Sequence, residues 1–371
     1  MFVVAIAIFA HYFVPYNSNI PFTNNIVELT FSIFENLYIQ PPWTCPTINI
    51  TSPCEQRALE RLRFVFNLTK YIPLWGLGIQ SKTIYVNKDS GIYNSKVKLS
   101  MPIVLYESTF YSTTTTRKKR KLLLWFHYGG YVVGNAKDGL ILQLSKMILE
   151  KDHNFLIASV DYRLAPEYQQ EDSINDCFFA LKYFTSPSVQ KKYNLDVTNY
   201  FVGGASAGGG LAIEIALKAA APLNNIKLKA HLAIVPMLSP YGSFQSHSYI
   251  RNALNLGLST QSILWYWKAS LYRSSESARS AHTLANLLKL EDSKYDVEII
   301  KQISDSFVAT ADSDVLYNEG VEYIQILNQY NSSSKIISSR HHHEIYFTTH
   351  LGSMIYPSHW AGIVDFIISK K

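Results

Sequence analysis

The sequence predicts the α/β class: a mostly parallel sheet of eight strands covered by helices on both faces. Three observations carry this. Short apolar and β-branched runs recur along the chain, bounded by turn residues, and from the third onward most are separated by stretches with helical spacing. The chain has 371 residues, 47% of them hydrophobic, which is enough to bury one large core. It shows neither an internal repeat nor a long linker, so one principal domain is expected.

Residues 1–14 form an apolar run with no lysine or arginine before it, and the first basic residue is Arg57. The run is short for a standard membrane span. It is expected to be an N-terminal signal or anchor, either retained or cleaved, with an amphipathic element lying on the fold as the alternative. Residues 15–75 read as an N-terminal extension, broken by Pro41, Pro42 and Pro46 and carrying one helical stretch over 54–68.

Strands are expected at 83–86 (Thr-Ile-Tyr-Val), 103–106 (Ile-Val-Leu-Tyr) and 122–126 (Leu-Leu-Leu-Trp-Phe), then at 155–160, 200–202, 231–235, 307–310 and 335–338. The third and fourth runs are almost wholly apolar, as strands buried on both faces should be. No helical pattern separates the first two, so antiparallel pairing is expected there. Helices are expected near 137–151, 170–186, 209–221, 259–272, 318–329 and 357–369. The stretch 211–221 is alanine-rich, and 263–267 (Ile-Leu-Trp-Tyr-Trp) is bulky and apolar.

Composition excludes some classes. The net charge is +6, but the one dense basic run, Arg117 to Lys121, leads directly into a strand and reads as a solvated loop. No base-reading motif accompanies it, so nucleic acid is not an expected partner. Three cysteines, Cys45, Cys54 and Cys177, are too few for a disulfide framework, although Cys45 and Cys54 can bridge in an oxidising compartment. Sequons at Asn49, Asn67 and Asn331 fit such a compartment.

The chemistry centres on Gly204-Ala205-Ser206-Ala207-Gly208, a G-x-S-x-G pattern between an apolar strand and a helix. Such a turn lifts a serine hydroxyl above a helix N-terminus, where developing negative charge is favoured. Upstream, the strand 122–126 runs into His127-Tyr128-Gly129-Gly130, and adjacent glycines there let two backbone N–H groups point the same way. Downstream, Asp314 follows the strand 307–310, with Asp312 as its competitor. A base is sought beyond the last strand, where His341, His342 and His343 stand in a row, with His350 and His359 as further alternatives. Neighbouring rings in an extended segment diverge, so the triplet is not expected to hold a metal.

With these motifs in order, the chain resembles the hormone-sensitive-lipase branch of the α/β-hydrolases, which includes arylacetamide deacetylase-like and microbial carboxylesterases. His127 to Gly130 stands where that family has His-Gly-Gly-Gly, Asp161-Tyr-Arg-Leu-Ala-Pro-Glu167 matches the segment after its next strand, and Asp314-Val-Leu-Tyr-Asn-Glu-Gly320 matches its Asp-Pro-Leu-Arg-Asp-Glu-Gly. The resemblance implies an α/β-hydrolase domain over 76–371, with a helical cap to which 236–285 contributes as an insertion and 15–75 is a candidate contributor. It implies Ser206 as nucleophile, Asp314 as acid, the N–H groups of Gly129, Gly130 and Ala207 as oxyanion donors, and His343 as base, because Glu344 and Ile345 then take the places of Gly and Phe in the family's His-Gly-Phe.

The implied activity is serine carboxylesterase, deacetylase or lipase-like hydrolysis of a small or medium apolar ester, with no cofactor and no metal. The alternatives are a catalytically silent binding protein or receptor on the same fold, or an amidase. The implied location is membrane-associated or secretory, with the endoplasmic reticulum included, against a cytoplasmic alternative. Four residues depart from the family pattern: Tyr128, which is expected to crowd the oxyanion loop, Ala205, Val315 and Glu344.

Overall fold

The computed structural model describes residues 51–67, 78–88, 99–111, 118–240, 246–253, 258–272, 297–311, 314–330, 340–341 and 357–370. The expected strands at 83–86, 103–106 and 200–202 grow into β1 (Ile79–Lys88), β2 (Leu99–Ser108) and β5 (Leu195–Ala205). β3 (Arg120–Phe126), β4 (Phe155–Val160), β6 (Ala230–Ile234) and β7 (Asp305–Ala311) lie close to their expected places. The short β8 (Arg340–His341) pairs with Thr310 and Ala311 at the end of β7, whereas the strand expected at 335–338 lies outside the described residues.

These eight strands form one sheet in the order β1-β2-β4-β3-β5-β6-β7-β8. β2 pairs antiparallel with both β1 and β4, and every later pairing is parallel. Side chains alternate between the faces of a strand, and β3 uses both. Leu122, Leu124 and Phe126 enter one apolar cluster, while Leu123 and Trp125 enter the other.

α2 (Gly139–Lys151) and α10 (Pro357–Ser369) cover the second cluster with residues such as Leu144, Ile148, Trp360 and Ile363. The first cluster takes residues from α1 (Pro53–Asn67), α3 (Gln170–Thr185), α4 (Pro187–Tyr193), α5 (Ala207–Ala220), α7 (Thr260–Ser270), α8 (Val297–Gln302) and α9 (Tyr317–Tyr330). Burial of a large aliphatic or aromatic side chain contributes about 1.5–3 kcal/mol, so two such layers dominate the stability of the fold.

The longer helices match their periodicity. Among the described residues there are three short ones that the pattern did not reveal: α4, α6 (His247–Arg251) and α8. α4 has a local cause, since Pro187 opens it with a preset φ and Asn194 closes it in the left-handed region. α6 and α8 span about one and a half turns each, too short for a periodic signal.

Candidate active site

The parallel strands deliver the candidate residues to one edge. In register, Phe126 lies beside Gly204, Gly204 beside Ala233, and Ala233 beside Val308. The loops that leave β3, β5, β6 and β7 therefore emerge together at the carboxyl end of the sheet, where open α/β sheets bind ligands.

Ser206 stands between β5 and α5 with φ 53° and ψ −119°. A non-glycine residue rarely adopts a positive φ, and such a conformation costs on the order of 1–3 kcal/mol unless its surroundings enforce it. Here they do. The Ser206 N–H donates to Ile234 O at 2.8 Å, and its own carbonyl accepts from Met237 N at 3.1 Å and from Gly210 N at 3.0 Å. A Cβ at Gly204 would stand 2.2 Å from Gly208 O, and one at Gly208 would stand 2.0 Å from Phe126 O. The missing side chains thus let the turn close on itself and on the end of β3. Ala207 is the first residue of α5, so its N–H has no acceptor within the helix and is available at the positive end of the helix dipole.

The loop after β3 is unusual backbone. Gly129, Gly130, Tyr131 and Gly134 all have positive φ, at 119°, 60°, 65° and 99°. Gly129 O accepts from Val132 N and Val133 N, both at 3.0 Å, which folds the loop over. His127 is fully buried and stacks on Tyr162 with centroids 4.1 Å apart. Its Nδ1 lies 2.7 Å from Tyr128 O, which makes Nδ1 the protonated nitrogen, and the Tyr162 hydroxyl donates to His127 O. Tyr128 belongs to the apolar cluster under α2 and α10, with Phe66 at a centroid distance of 6.1 Å. Contrary to the expected crowding, its bulk is stored in a core, which leaves Gly129 and Gly130 to shape the loop.

Asp314 is buried, 3% exposed. Its Oδ1 accepts from Leu316 N at 2.9 Å, and its carbonyl accepts from Asn252 Nδ2 at 2.9 Å. Its Oδ2 has no hydrogen-bond partner among the described residues. Burial pushes the carboxyl up to about 7, against the opposing pull of the Leu316 amide. A carboxylate with one oxygen held by backbone and the other open is suited to receive a ring N–H. Asp312, His342, His343 and His350 lie outside the described residues, as do the side chains of His341 and His359; for His341 only a place in β8, beside Ala311, is described.

Glu319 lies within the Asp314–Gly320 motif, where the sequence pattern alone assigns it no role. It is fully buried: Oε2 accepts from Leu238 N and from Ser239 N, and Oε1 accepts from the Tyr249 hydroxyl at 2.7 Å. Ser248 Oγ donates to Val315 O, and Ser248 N donates to Asn318 Oδ1. The loop after β6, the short α6 and the segment bearing Asp314 are therefore one connected unit.

α1 and α7 meet above the same loops. Trp265 Nε1 donates to Glu55 Oε2 at 3.0 Å, the Tyr266 ring lies where a Cβ on Gly130 would fall, and Trp267 packs on Tyr131 at 5.7 Å. Ile263, Trp265, Tyr266 and Trp267 are thus core, and that core roofs the glycine loop. Cys54 at the start of α1 is disulfide-bonded, to a partner outside the described residues, while Cys177 is a buried thiol outside any disulfide.

A strained serine elbow, a glycine loop beside it and a buried aspartate two strands away together define an α/β-hydrolase, and a family model described as alpha/beta hydrolase fold matches residues 123–345. The chain belongs to that family. Among its relatives, neutral cholesterol ester hydrolase 1 from Bos taurus is 32% identical over 144 residues, 38% of this chain and 35% of the relative. Arylacetamide deacetylase from Oryctolagus cuniculus is 33% identical over 170 residues, 46% of this chain and 42% of the relative. The chain thus spans less than half the length of these curated relatives. The solved structure of a fungal esterase from Rhizomucor miehei superposes with a TM-score of 0.67 at 21% identity, covering 90% of this chain and 96% of that one. A thermostable esterase from Pseudomonas putida gives the same score at 22% identity, covering 86% and 92%.

Proposed function

We propose that this protein is a serine carboxylesterase acting on apolar esters of small or medium size. The observation that carries the reading is Ser206 itself, held at φ 53° on the first turn of α5 beside the Gly129–Gly130 loop. Strain of this kind at a serine is worth maintaining only where the hydroxyl must be presented.

In the proposed reaction His343 accepts the Ser206 proton as Oγ attacks the ester carbonyl, and Asp314 orients the imidazole and stabilises its cation. The oxyanion takes hydrogen bonds from the N–H groups of Gly129, Gly130 and Ala207. The histidine then protonates the departing alcohol, and water activated by the same ring releases the acid from Ser206. The carriage of esterase and deacetylase names by relatives supports the substrate class. The aromatic roof of Tyr266 and Trp267 over the loop supports an apolar one and supports assigning α1, α6 and α7 to a cap.

The test is turnover of p-nitrophenyl acetate and butyrate by wild type and Ser206→Ala. The variant should lose at least about a thousandfold in kcat. Equal turnover by both proteins would leave a silent binding protein on the hydrolase fold as the correct reading. Single alanine substitutions at His341, His342 and His343 identify the base, and His343→Ala alone should match the loss in Ser206→Ala.

The disulfide at Cys54 supports passage through an oxidising compartment. No helix among the described residues is long and apolar enough to cross a membrane. Residues 1–14 are proposed to provide membrane association, tested by fractionation of the chain with and without them; an unchanged distribution would count against an anchor.

A further inference from the structure

The loop that must aim the oxyanion donors has an outside support. Three successive residues, Gly129 to Tyr131, hold positive φ, and Tyr131 does so as a non-glycine residue, so the loop is not a conformation the chain adopts by itself. Within the loop Gly129 O is the acceptor for Val132 N and Val133 N, and Tyr131 O accepts from Ala165 N at 2.8 Å. The remaining hold on Val132 comes from α1. Arg63 Nε donates to Val132 O at 3.1 Å, and Nη2 donates to Ala165 O at 2.6 Å. Nη1 and Nη2 together grip both oxygens of Glu167 at 2.7 Å.

We propose that Arg63 is a positioning residue for the oxyanion hole, clamping the Gly129–Val133 turn to the Ala165–Glu167 segment through one guanidinium; this rests on the esterase reading above. Four of the five guanidinium N–H groups are engaged, and their targets lie on two loops that leave neighbouring strands. A planar fork that meets two carbonyls and a carboxylate at once is something a lysine ammonium cannot reproduce. Arg63 lies outside the family-matched residues 123–345, so the clamp ties α1 to the matched domain through its hydrogen bonds to Val132, Ala165 and Glu167. It also borders a cavity of about 320 Å³ with Gly134, Asp161, Glu167 and Tyr168, which gives small solutes a route to the clamp.

The experiment compares Arg63→Lys, Arg63→Gln and Arg63→Ala with wild type on p-nitrophenyl butyrate. Loosened donors act on the transition state, so kcat should fall about ten- to a hundredfold in all three while KM stays within about twofold. Millimolar guanidinium should restore part of kcat in Arg63→Ala and none in Arg63→Lys. Unchanged kcat in Arg63→Gln overturns the proposal. So does a loss of kcat that tracks a lowered melting temperature across the three variants and resists guanidinium, since that is what a purely structural residue would give. Amide exchange of the peptide covering residues 128–135 serves as an activity-free readout. If wild type itself turns over no ester, the esterase reading fails, whereas the clamp stands or falls on whether Arg63→Gln raises exchange there.

Discussion

Gly208→Ala tests whether the serine elbow and the oxyanion loop are a single mechanical unit. A Cβ at Gly208 would stand 2.0 Å from Phe126 O and 2.6 Å from His127 O. Real Cβ atoms keep to 3.0 Å or beyond, so relief requires a separation of at least 3.0 − 2.0 = 1.0 Å between the first turn of α5 and the end of β3. Both neighbours are main-chain carbonyls, one closing a buried strand and one holding the Tyr162 hydroxyl, so no flexible side chain can give way. Overpacking of this type costs about 1–3 kcal/mol, and a misplacement of about 1 Å between reacting groups costs on the order of a hundredfold in rate.

Gly208→Ala should therefore lower kcat/KM for p-nitrophenyl butyrate by about a hundredfold, with a melting temperature reduced by a few degrees. The control is Gly362→Ala in α10, where, among the described residues, the added Cβ would meet only Phe307 Cζ at 3.9 Å. That variant should keep full activity and gain about 0.5–1 kcal/mol, because glycine is the weaker helix former. If Gly208→Ala retains kcat/KM within about threefold of wild type, the elbow does not rest on β3 as described.

Three further outcomes are expected. Asp314 has its carboxyl raised from 3.8 to about 7, so between those values the folded state holds a proton that the unfolded state has lost, and its contribution to stability falls as pH rises through that window. The ceiling is about 4 kcal/mol, from 7 − 3.8 = 3.2 pH units. Asp314→Asn should abolish that slope, gaining on wild type in urea midpoint between pH 5 and pH 8 while losing about 10⁴-fold in kcat; parallel midpoint curves would refute the assignment. Trp265→Phe removes the N–H that reaches Glu55 and leaves a buried carboxylate short of a partner, at a cost of about 1–3 kcal/mol by chemical denaturation. Adding Glu55→Leu should recover most of that loss. Tyr249→Phe deprives Glu319 of its hydroxyl donor and should cost about 1.5–3 kcal/mol, read as a shifted urea midpoint.

What could be read from the sequence divides along a physical line. The candidate residues Ser206, Gly129, Gly130 and Asp314 stand out in the sequence because the pattern around them is local: a strand, a glycine turn and a helix within a few residues leave a signature in one dimension. The parallel sheet was legible for the same reason, since strands buried on both faces must be largely apolar, as Leu122 to Phe126 of β3 and most of β4 are. β1 was cut short in the reading because one side of it is exposed, and Gln80, Ser81 and Lys82 break the apolar run without breaking the hydrogen-bond ladder. Contacts between distant segments leave no such trace. Arg63 and Val132 are 69 positions apart and Glu55 and Trp265 are 210 apart, and nothing near either arginine or glutamate distinguishes it from its exposed neighbours on α1. Glu319 is the intermediate case: it was visible as a letter in a motif five positions after Asp314, yet its function as the shared acceptor of two loop amides and a tyrosine exists only once β6 and β7 lie side by side. The candidate catalytic residues are thus encoded locally, whereas those that hold them in place are encoded by the topology. The placement of Arg63 on α1 belongs to the second kind, which is why substitution there is the sharper test of the fold's part in catalysis.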